Sequence, residues 1–167
     1  VVPVHGHVDQ TVACLRAISA HPPRTPIEVI VVDDASLDET LALLAQVDGL
    51  RLHALPANVG FIGACNAGAE IARGRFLLFL NNDTVPQPGW LDALRATFEA
   101  QAQVGIVGAQ LVYPDGRLQE AGAMLARDGR GESRGRFADP THPAFAWCAD
   151  VDYVSGAALM LERSLFE

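Results

Sequence analysis

Lysine is missing from all 167 residues, and every one of the 12 basic residues is an arginine. A phosphate-binding loop of the Walker A type requires a lysine, so that class of protein is excluded. A phospho-receiver domain also places acidic residues after a strand, but it needs a lysine on a late strand and is excluded too. The net charge of −8 does not suit contact with a phosphate backbone, so we expect no nucleic-acid partner.

Cysteines and long apolar runs are also scarce. Cys14, Cys65 and Cys148 form no CxxC pair, and we interpret them as thiols of a reducing compartment without a metal or disulfide role. No run is long and apolar enough to cross a bilayer, and the chain does not open on the basic segment of a signal peptide. Together with a hydrophobic content of 50%, these features predict a cytoplasmic, folded α/β protein.

Strand-like and helix-like patterns alternate through the first hundred residues. Short apolar strands are predicted over 1–4, 28–32, 50–55 and 75–80, with helices between them. This order predicts a parallel sheet with right-handed crossovers. The fold class is therefore α/β, with a mostly parallel sheet flanked by helices and a late antiparallel hairpin that turns at Pro114-Asp115-Gly116.

Three further expectations concern local structure. Ser36 is followed three residues later by Glu39, which predicts a capping box at the start of a helix. Residues 127–143 are rich in glycine, arginine and proline and predict a mobile loop. Residues 151–161 carry the apolar pattern of a final strand.

Polar residues follow three of the predicted strands, at positions 5–7 (HGH), 33–34 (DD) and 81–83 (NND). Ligands of such sheets bind beyond the carboxyl ends of the strands. The acidic pair can accept the ring N–H of a uracil or thymine, or it can cap a helix. Asp83 can bind a divalent cation that bridges two phosphates, or its segment can be a turn built from Asx residues.

Two other segments are candidates for ligand contact. Residues 58–68 form a loop that leads into a helix of small residues, which can let a ligand approach the backbone or can pack tightly on the sheet. The histidine pair at positions 5 and 7 can touch a base or a ribose. Trp147 lies beside the polar loop and is a candidate for stacking on the sugar of an acceptor.

Taken together, residues 1–6, 28–40, 58–94 and 152–167 resemble family 2 of the glycosyltransferases, which have the GT-A (Rossmann-like) fold. The similarity is greatest to the rhamnosyltransferase-like branch and covers nearly the whole chain. It implies an inverting enzyme that moves a sugar from a UDP- or dTDP-linked donor to a glycan or lipid-linked acceptor. It also implies Mg²⁺ or Mn²⁺ as the cofactor.

The resemblance also assigns roles by position within a single domain over 1–167. Residues 1–110 would bind the nucleotide-sugar, and residues 111–167 would begin an incomplete acceptor-side part. The implied donor nucleotide-binding residues are Pro3, His5, Asp33, Asp34, Asn58, Gly60, Asn66, Asn82 and Asp83. Asp83 would also hold the metal. Trp147, Ser155 and Gly156 would lie on the acceptor side.

Three departures from the family pattern affect these expectations. Ala35 stands where glycine is usual, and Asn81 stands where some members have an acid, which would weaken metal affinity. The acidic motif that supplies the catalytic base would follow beyond Glu167, because Glu162 and Glu167 come too early in the pattern.

Other functions are alternatives to the transfer of a sugar. The alternative to a transferase is a non-catalytic nucleotide-sugar-binding module that lacks the base. A sugar nucleotidyltransferase would need a glycine-rich opening with a basic residue, which residues 5–7 do not supply. If the acceptor is lipid-linked, the full-length protein is expected to touch the inner face of the plasma membrane.

Overall fold

The computed structural model describes residues 1–101 and 103–166. The strands of this part of the chain are β1 (Val2–Val4), β2 (Val29–Asp33), β3 (Leu50–Ala54), β4 (Phe76–Leu80), β5 (Ile106–Gly108), β6 (Leu111–Val112), β7 (Leu118–Glu120), β8 (Ala123–Leu125), β9 (Gly131–Ser133) and β10 (Ala158–Glu162). Its helices are α1 (Val8–Ala20), α2 (Thr40–Leu44), α3 (Gly60–Ile71), α4 (Trp90–Ala100) and α5 (Arg163–Phe166).

Six strands form the centre of the fold in the order β3-β2-β1-β4-β10-β5. β1, β2 and β3 pair in parallel, whereas β10 runs antiparallel between β4 and β5. Two backbone hydrogen bonds join the halves: Val1 N donates to Leu78 O (2.8 Å), and Leu80 N donates to Val1 O (3.0 Å). The predicted α/β architecture is confirmed, and the predicted hairpin joins β6 to β7.

The central strands are apolar on both faces because helices cover both faces. Ile30 and Val32 pack in the cluster that includes residues of α3. Val31 between them packs in the opposite cluster, with Cys14 and Ile18 of α1. All three β2 side chains are at most 1% exposed, and burial of each contributes about 1.5–3 kcal/mol.

Helix α3 approaches the sheet closely because it is built from small residues. Ala64 and Ala69 are buried, and a Cβ added to Gly68 would lie 2.3 Å from Cγ1 of Val1. Such a contact is too short, so a side chain at this position would require Val1 or the helix to shift. The structure thus supports the tight-packing interpretation for this part of residues 58–68.

The predicted capping box at the start of α2 is wrong. The helix begins at Thr40, and the side chain of its N-cap residue, Glu39, forms no capping hydrogen bond. Asp38 Oδ1 instead accepts the Thr40 N–H (3.1 Å). Ser36 does not cap the helix, because its hydroxyl donates to the buried carboxylate of Asp33. A buried carboxylate without a partner costs more free energy than an N–H group at an exposed helix end.

The two predictions for the second half of the chain also need correction. Residues 127–143 are predicted to be a mobile loop, but part of them forms β9, which pairs with β8. The final strand begins at Ala158 rather than at residue 151. The residues before this strand instead contact β8, where the Asp152 and Tyr153 N–H groups donate to Ala123 O.

Candidate functional site

The three polar clusters lie at the carboxyl ends of adjacent strands β2, β1 and β4. Asp34 N donates to Val4 O (2.7 Å), which fixes the end of β2 beside the end of β1. Asn81 directly follows β4, and its N–H donates to Ala157 O (2.9 Å). The sheet order therefore brings residues 5–7, 33–34 and 81–83 to one edge of the sheet.

The carboxylate of Asp34 binds the beginning of α3. Oδ1 accepts the Val59 N–H (2.7 Å) and Oδ2 accepts the Gly60 N–H (2.9 Å). The side chain is 3% exposed, and the two N–H donors with the positive end of the helix compensate its buried charge. Each oxygen retains a second lone pair, so Asp34 can cap the helix and still accept an N–H from a base.

His5 and Asn58 lie beside this carboxylate. His5 Nδ1 is 2.7 Å from Asp34 O and 3.1 Å from Asn58 Nδ2. A single ring nitrogen cannot donate to the carbonyl and accept from the amide at once, so the two contacts are alternative hydrogen bonds of His5. Asn58 Oδ1 also accepts the Gly60 N–H (3.1 Å). Both side chains are exposed, and with Asp34 they form a polar group that we call the Asp34 cluster.

Asp33 has a different partner from Asp34. Its carboxylate accepts the Ser36 hydroxyl and the Ser36 N–H, and the same hydroxyl accepts the Gly6 N–H (2.7 Å). Asp33 is 1% exposed. It therefore joins the residues after β2 to the turn after β1.

The residue that departs from the usual glycine carries a positive φ. Ala35 has φ of 55°, in the left-handed region that costs a residue with a Cβ about 1–2 kcal/mol. The backbone conformation at this turn accounts for the family's preference for glycine.

Replacement of Ala35 by glycine is expected to raise the free energy of unfolding by about 0.5–1 kcal/mol, since relief of this strain exceeds the entropy cost of glycine. Urea denaturation of the two proteins measures the difference. Ala45→Gly, in right-handed helical conformation, is the matched control and should destabilise. A loss of stability in Ala35→Gly would contradict the assigned φ.

Asp83 is the exposed acid of the third cluster. Within the described residues it makes no hydrogen bond or ion pair. Its neighbour Asn82 donates Nδ2–H to Thr11 Oγ1 (2.9 Å), and Thr11 in turn donates to His7 O (3.4 Å). This arrangement fixes the Asn82 amide with its nitrogen toward α1, which leaves its oxygen as a free acceptor.

The turn that presents Asp83 is held by backbone rather than by Asx side chains. Asn81 O accepts both the N–H (3.2 Å) and the hydroxyl (2.7 Å) of Thr84, whereas the buried Oδ1 of Asn81 has no partner in the described structure. Cys14 Sγ lies 3.8 Å from the same carbonyl. Burial raises the pKa of the Cys14 thiol to about 11, so the thiol stays protonated at neutral pH.

The acceptor-side residues predicted from the family pattern lie in two places. Ser155 and Gly156 immediately precede the carbonyl that binds Asn81, and a Cβ added to Gly156 would lie 3.8 Å from the ring of Phe61. Trp147 is 59% exposed, and its ring is stacked under the Arg134 guanidinium at 5.1 Å. No hydrogen bond or ring contact in the described structure joins Trp147 to the clusters at the sheet edge.

Two predicted donor residues lie outside the Asp34 cluster. Pro3 is buried inside β1 opposite Val32. Asn66 is exposed on α3 beside Arg163 and Phe166. Their roles toward the nucleotide stay predictions.

Sequence reasoning missed two side chains of this edge, Thr11 and Glu120. Thr11 is fully buried, and the signal was present: it is a polar residue on the apolar stripe of α1 that includes Val8 and Cys14. Glu120 accepts the Ser155 N–H (3.1 Å). No local pattern indicates that contact, because the two residues are 35 positions apart.

Comparison with solved structures defines the class of fold. The mannosyltransferase PcManGT of Pyrobaculum calidifontis, solved in complex with GDP-Man and Mn²⁺, superimposes with a TM-score of 0.66 at 20% identity, over 98% of this chain and 43% of that one. Staphylococcus aureus TarS 1-349, solved with UDP-GlcNAc, gives 0.56 at 26% identity, over 64% and 32%. The fold is that of the GT-A glycosyltransferases.

The sequence identifies the family. The pattern that defines Glycosyl transferase family 2 matches residues 1–167, and the chain belongs to that family. The O-antigen biosynthesis protein RfbC of Myxococcus xanthus is 33% identical over 178 residues, which cover 100% of this chain and 14% of RfbC. The chain thus spans less than half the length of each of these three proteins.

Proposed function

We propose that this chain is the donor-binding part of an inverting glycosyltransferase that moves a sugar from a nucleotide-diphosphate sugar to a glycan or lipid-linked acceptor. One observation carries the proposal. Asp83, a carboxylate without a hydrogen bond or ion pair among the described residues, lies at the same sheet edge as the Asp34 cluster. A nucleotide with its base at the Asp34 cluster and its diphosphate toward Asp83 would use both features.

The residues at Asp83 fit a Mg²⁺ or Mn²⁺ ion shared with the diphosphate. In the described part of the chain, no three His, Cys, Asp or Glu side chains could hold an ion together. The protein can offer the Asp83 carboxylate and the free amide oxygen of Asn82, which are the hard oxygen ligands these ions prefer. The remaining ligands would come from phosphate oxygens. When bound, the ion would offset the charge of the departing diphosphate.

The proposed base preference follows from the Asp34 carboxylate. A carboxylate accepts N–H and cannot donate, so it suits the ring N–H of uracil or thymine, and UDP- or dTDP-linked donors are proposed. PcManGT was solved with GDP-Man and TarS with UDP-GlcNAc, so the fold takes more than one base. Guanine also carries a ring N–H, and GDP therefore belongs in the test.

The catalytic base is proposed to lie beyond Glu167. The acceptor hydroxyl must lose its proton as it attacks the anomeric carbon. Glu162 is unsuitable, because it pairs with Phe76 at the opposite end of β4 and forms an ion pair with Arg75 (2.6 Å). Glu167 lies outside the described residues.

We propose polysaccharide biosynthesis as the setting, which the similarity to an O-antigen biosynthesis protein supports, and the cytoplasm as the location. Among the described residues, no helix has the length and hydropathy to cross a membrane. We also propose that the full-length protein contacts the inner face of the plasma membrane peripherally, which would serve a lipid-linked acceptor.

Calorimetric titration of the chain with UDP, dTDP and GDP, each with Mn²⁺ and with EDTA, tests the proposal. We expect at least one nucleotide to bind, and Mn²⁺ to strengthen its binding about 10-fold or more. The isolated chain should show little sugar transfer, since it lacks the proposed base. The proposal fails if a folded sample binds none of the three nucleotides.

A further inference from the structure

The segment Ser155–Ala157 connects the acceptor side of the sheet edge to the turn that carries Asp83. Ala157 O accepts the Asn81 N–H (2.9 Å), and Ser155 Oγ accepts the Ala157 N–H (3.2 Å). On its other side, Gly156 faces the ring of Phe61 at the beginning of α3. The position of this segment thus sets the position of Asn81, two residues before Asp83.

The Glu120 side chain binds the segment of residues 155–157 through the Ser155 N–H. Glu120 ends β7 and is half-buried. Its Oε1 accepts the Ser155 N–H (3.1 Å), and its Oε2 accepts the Ser133 hydroxyl (3.3 Å). The carboxylate therefore bridges β9, β7 and the segment that leads into β10.

We infer that Glu120 is a positioning residue of the donor site, acting on Asp83 through Ser155–Ala157 and the Asn81 N–H. The inference rests on the proposed function and extends it to a residue of the small antiparallel sheets. Both carboxylate oxygens are occupied by donors, which suits a residue that fixes geometry. Removal of its contacts would release the segment and let the Asp83 carboxylate move away from the phosphate oxygens.

Three variants separate geometry from charge. Glu120→Gln loses the charge but keeps the reach, because its amide oxygen can accept the Ser155 N–H and its NH₂ can donate to Ser133 Oγ. Glu120→Asp keeps the charge but is one methylene too short for both contacts. Glu120→Ala loses both. Glu132→Ala on neighbouring β9 removes an exposed carboxylate away from the segment and is the control.

The experiment measures nucleotide affinity with Mn²⁺ and with EDTA for each variant, using whichever of UDP, dTDP and GDP the unaltered chain binds best. We expect Glu120→Ala and Glu120→Asp to weaken Mn²⁺-dependent affinity about 10-fold or more, as loss of a partner behind a metal ligand does. Affinity in EDTA should change by less than 3-fold. This limit corresponds to about 0.6 kcal/mol, which is on the order of the measurement scatter. Glu120→Gln and Glu132→Ala should match the unaltered chain.

Amide hydrogen exchange provides a readout independent of nucleotide. The Ser155 and Asn81 N–H groups should exchange faster in Glu120→Asp and Glu120→Ala than in Glu120→Gln. Unaltered affinity and exchange in Glu120→Asp would overturn the inference, and so would equal losses in Glu120→Gln and Glu120→Asp. If the unaltered chain binds no nucleotide, the proposed function fails, and unchanged exchange would separately show that Glu120 does not hold the segment.

Discussion

Replacement of Asp83 by alanine is expected to abolish the contribution of Mn²⁺ to nucleotide binding. Asp83 is the carboxylate proposed to share the ion with the diphosphate. Loss of a group that merely orients a metal ligand costs about 10–100-fold in affinity, so loss of the ligand itself should remove the whole strengthening by Mn²⁺, which is about 10-fold or more. Calorimetric titration with Mn²⁺ and the best nucleotide measures the effect, and affinity in EDTA should be unchanged.

The same substitution should leave folding intact. Asp83 is exposed and has no hydrogen-bonding partner among the residues that the structure describes, so the free energy of unfolding should change by less than about 0.5 kcal/mol. Asp48→Ala removes another exposed acid, on the turn before β3, and controls for net charge. Mn²⁺-dependent binding that survives in Asp83→Ala would show that the ion is held elsewhere.

Replacement of Asp34 by alanine should have the largest effect on stability. Its carboxylate accepts the Val59 and Gly60 N–H groups from a buried position. Without it, the Val59 N–H loses its partner and the Gly60 N–H keeps only Asn58 Oδ1, which should lower the free energy of unfolding by about 1–3 kcal/mol. Urea denaturation without nucleotide measures this loss.

Asp34→Asn serves as the matched control. Its amide oxygen can accept one of the two N–H groups, whereas its NH₂ cannot accept the other, so an intermediate stability is expected. The variant should remain folded and bind UDP or dTDP more weakly, since its charge is lost. A loss below about 0.5 kcal/mol in Asp34→Ala would contradict the cap, because that is the range of surface substitutions without specific contacts.

The sequence is most informative where a local pattern sets the structure. Apolar runs such as residues 28–32 predict strands that are covered on both faces, and β2 is buried in that way. Polar residues after such runs predict an edge at which ligands bind. The alternation of strands and helices predicts a parallel sheet, and β1, β2 and β3 pair in parallel.

Long-range contacts mark the limit of sequence reasoning. Ser36 and Glu39 fit a capping box, but Ser36 binds Asp33 and Gly6 instead. The return of β10 between β4 and β5 depends on pairing across nearly 80 residues, which no local period specifies. The sequence likewise does not indicate Glu120, because its proposed positioning function depends on a contact with Ser155 that forms only in the folded protein.

The acidic pair shows why two interpretations of one motif can both hold. Helix capping and base recognition were alternatives for Asp33 and Asp34 when judged by residue type. The structure shows Asp34 capping α3 with both oxygens, and the lone pairs that remain keep the base-binding hypothesis open to test. The motif therefore predicts a loss of stability and a loss of affinity from one substitution.

The most direct test of the central claim is paramagnetic broadening of assigned backbone amide signals by Mn²⁺, with and without the nucleotide that binds best. A shared site predicts selective broadening of the Asn82, Asp83 and Thr84 signals when both Mn²⁺ and nucleotide are present, and little selective broadening with Mn²⁺ alone. Broadening centred on other acidic residues, or the same pattern without nucleotide, would contradict a metal held jointly by Asp83 and a diphosphate.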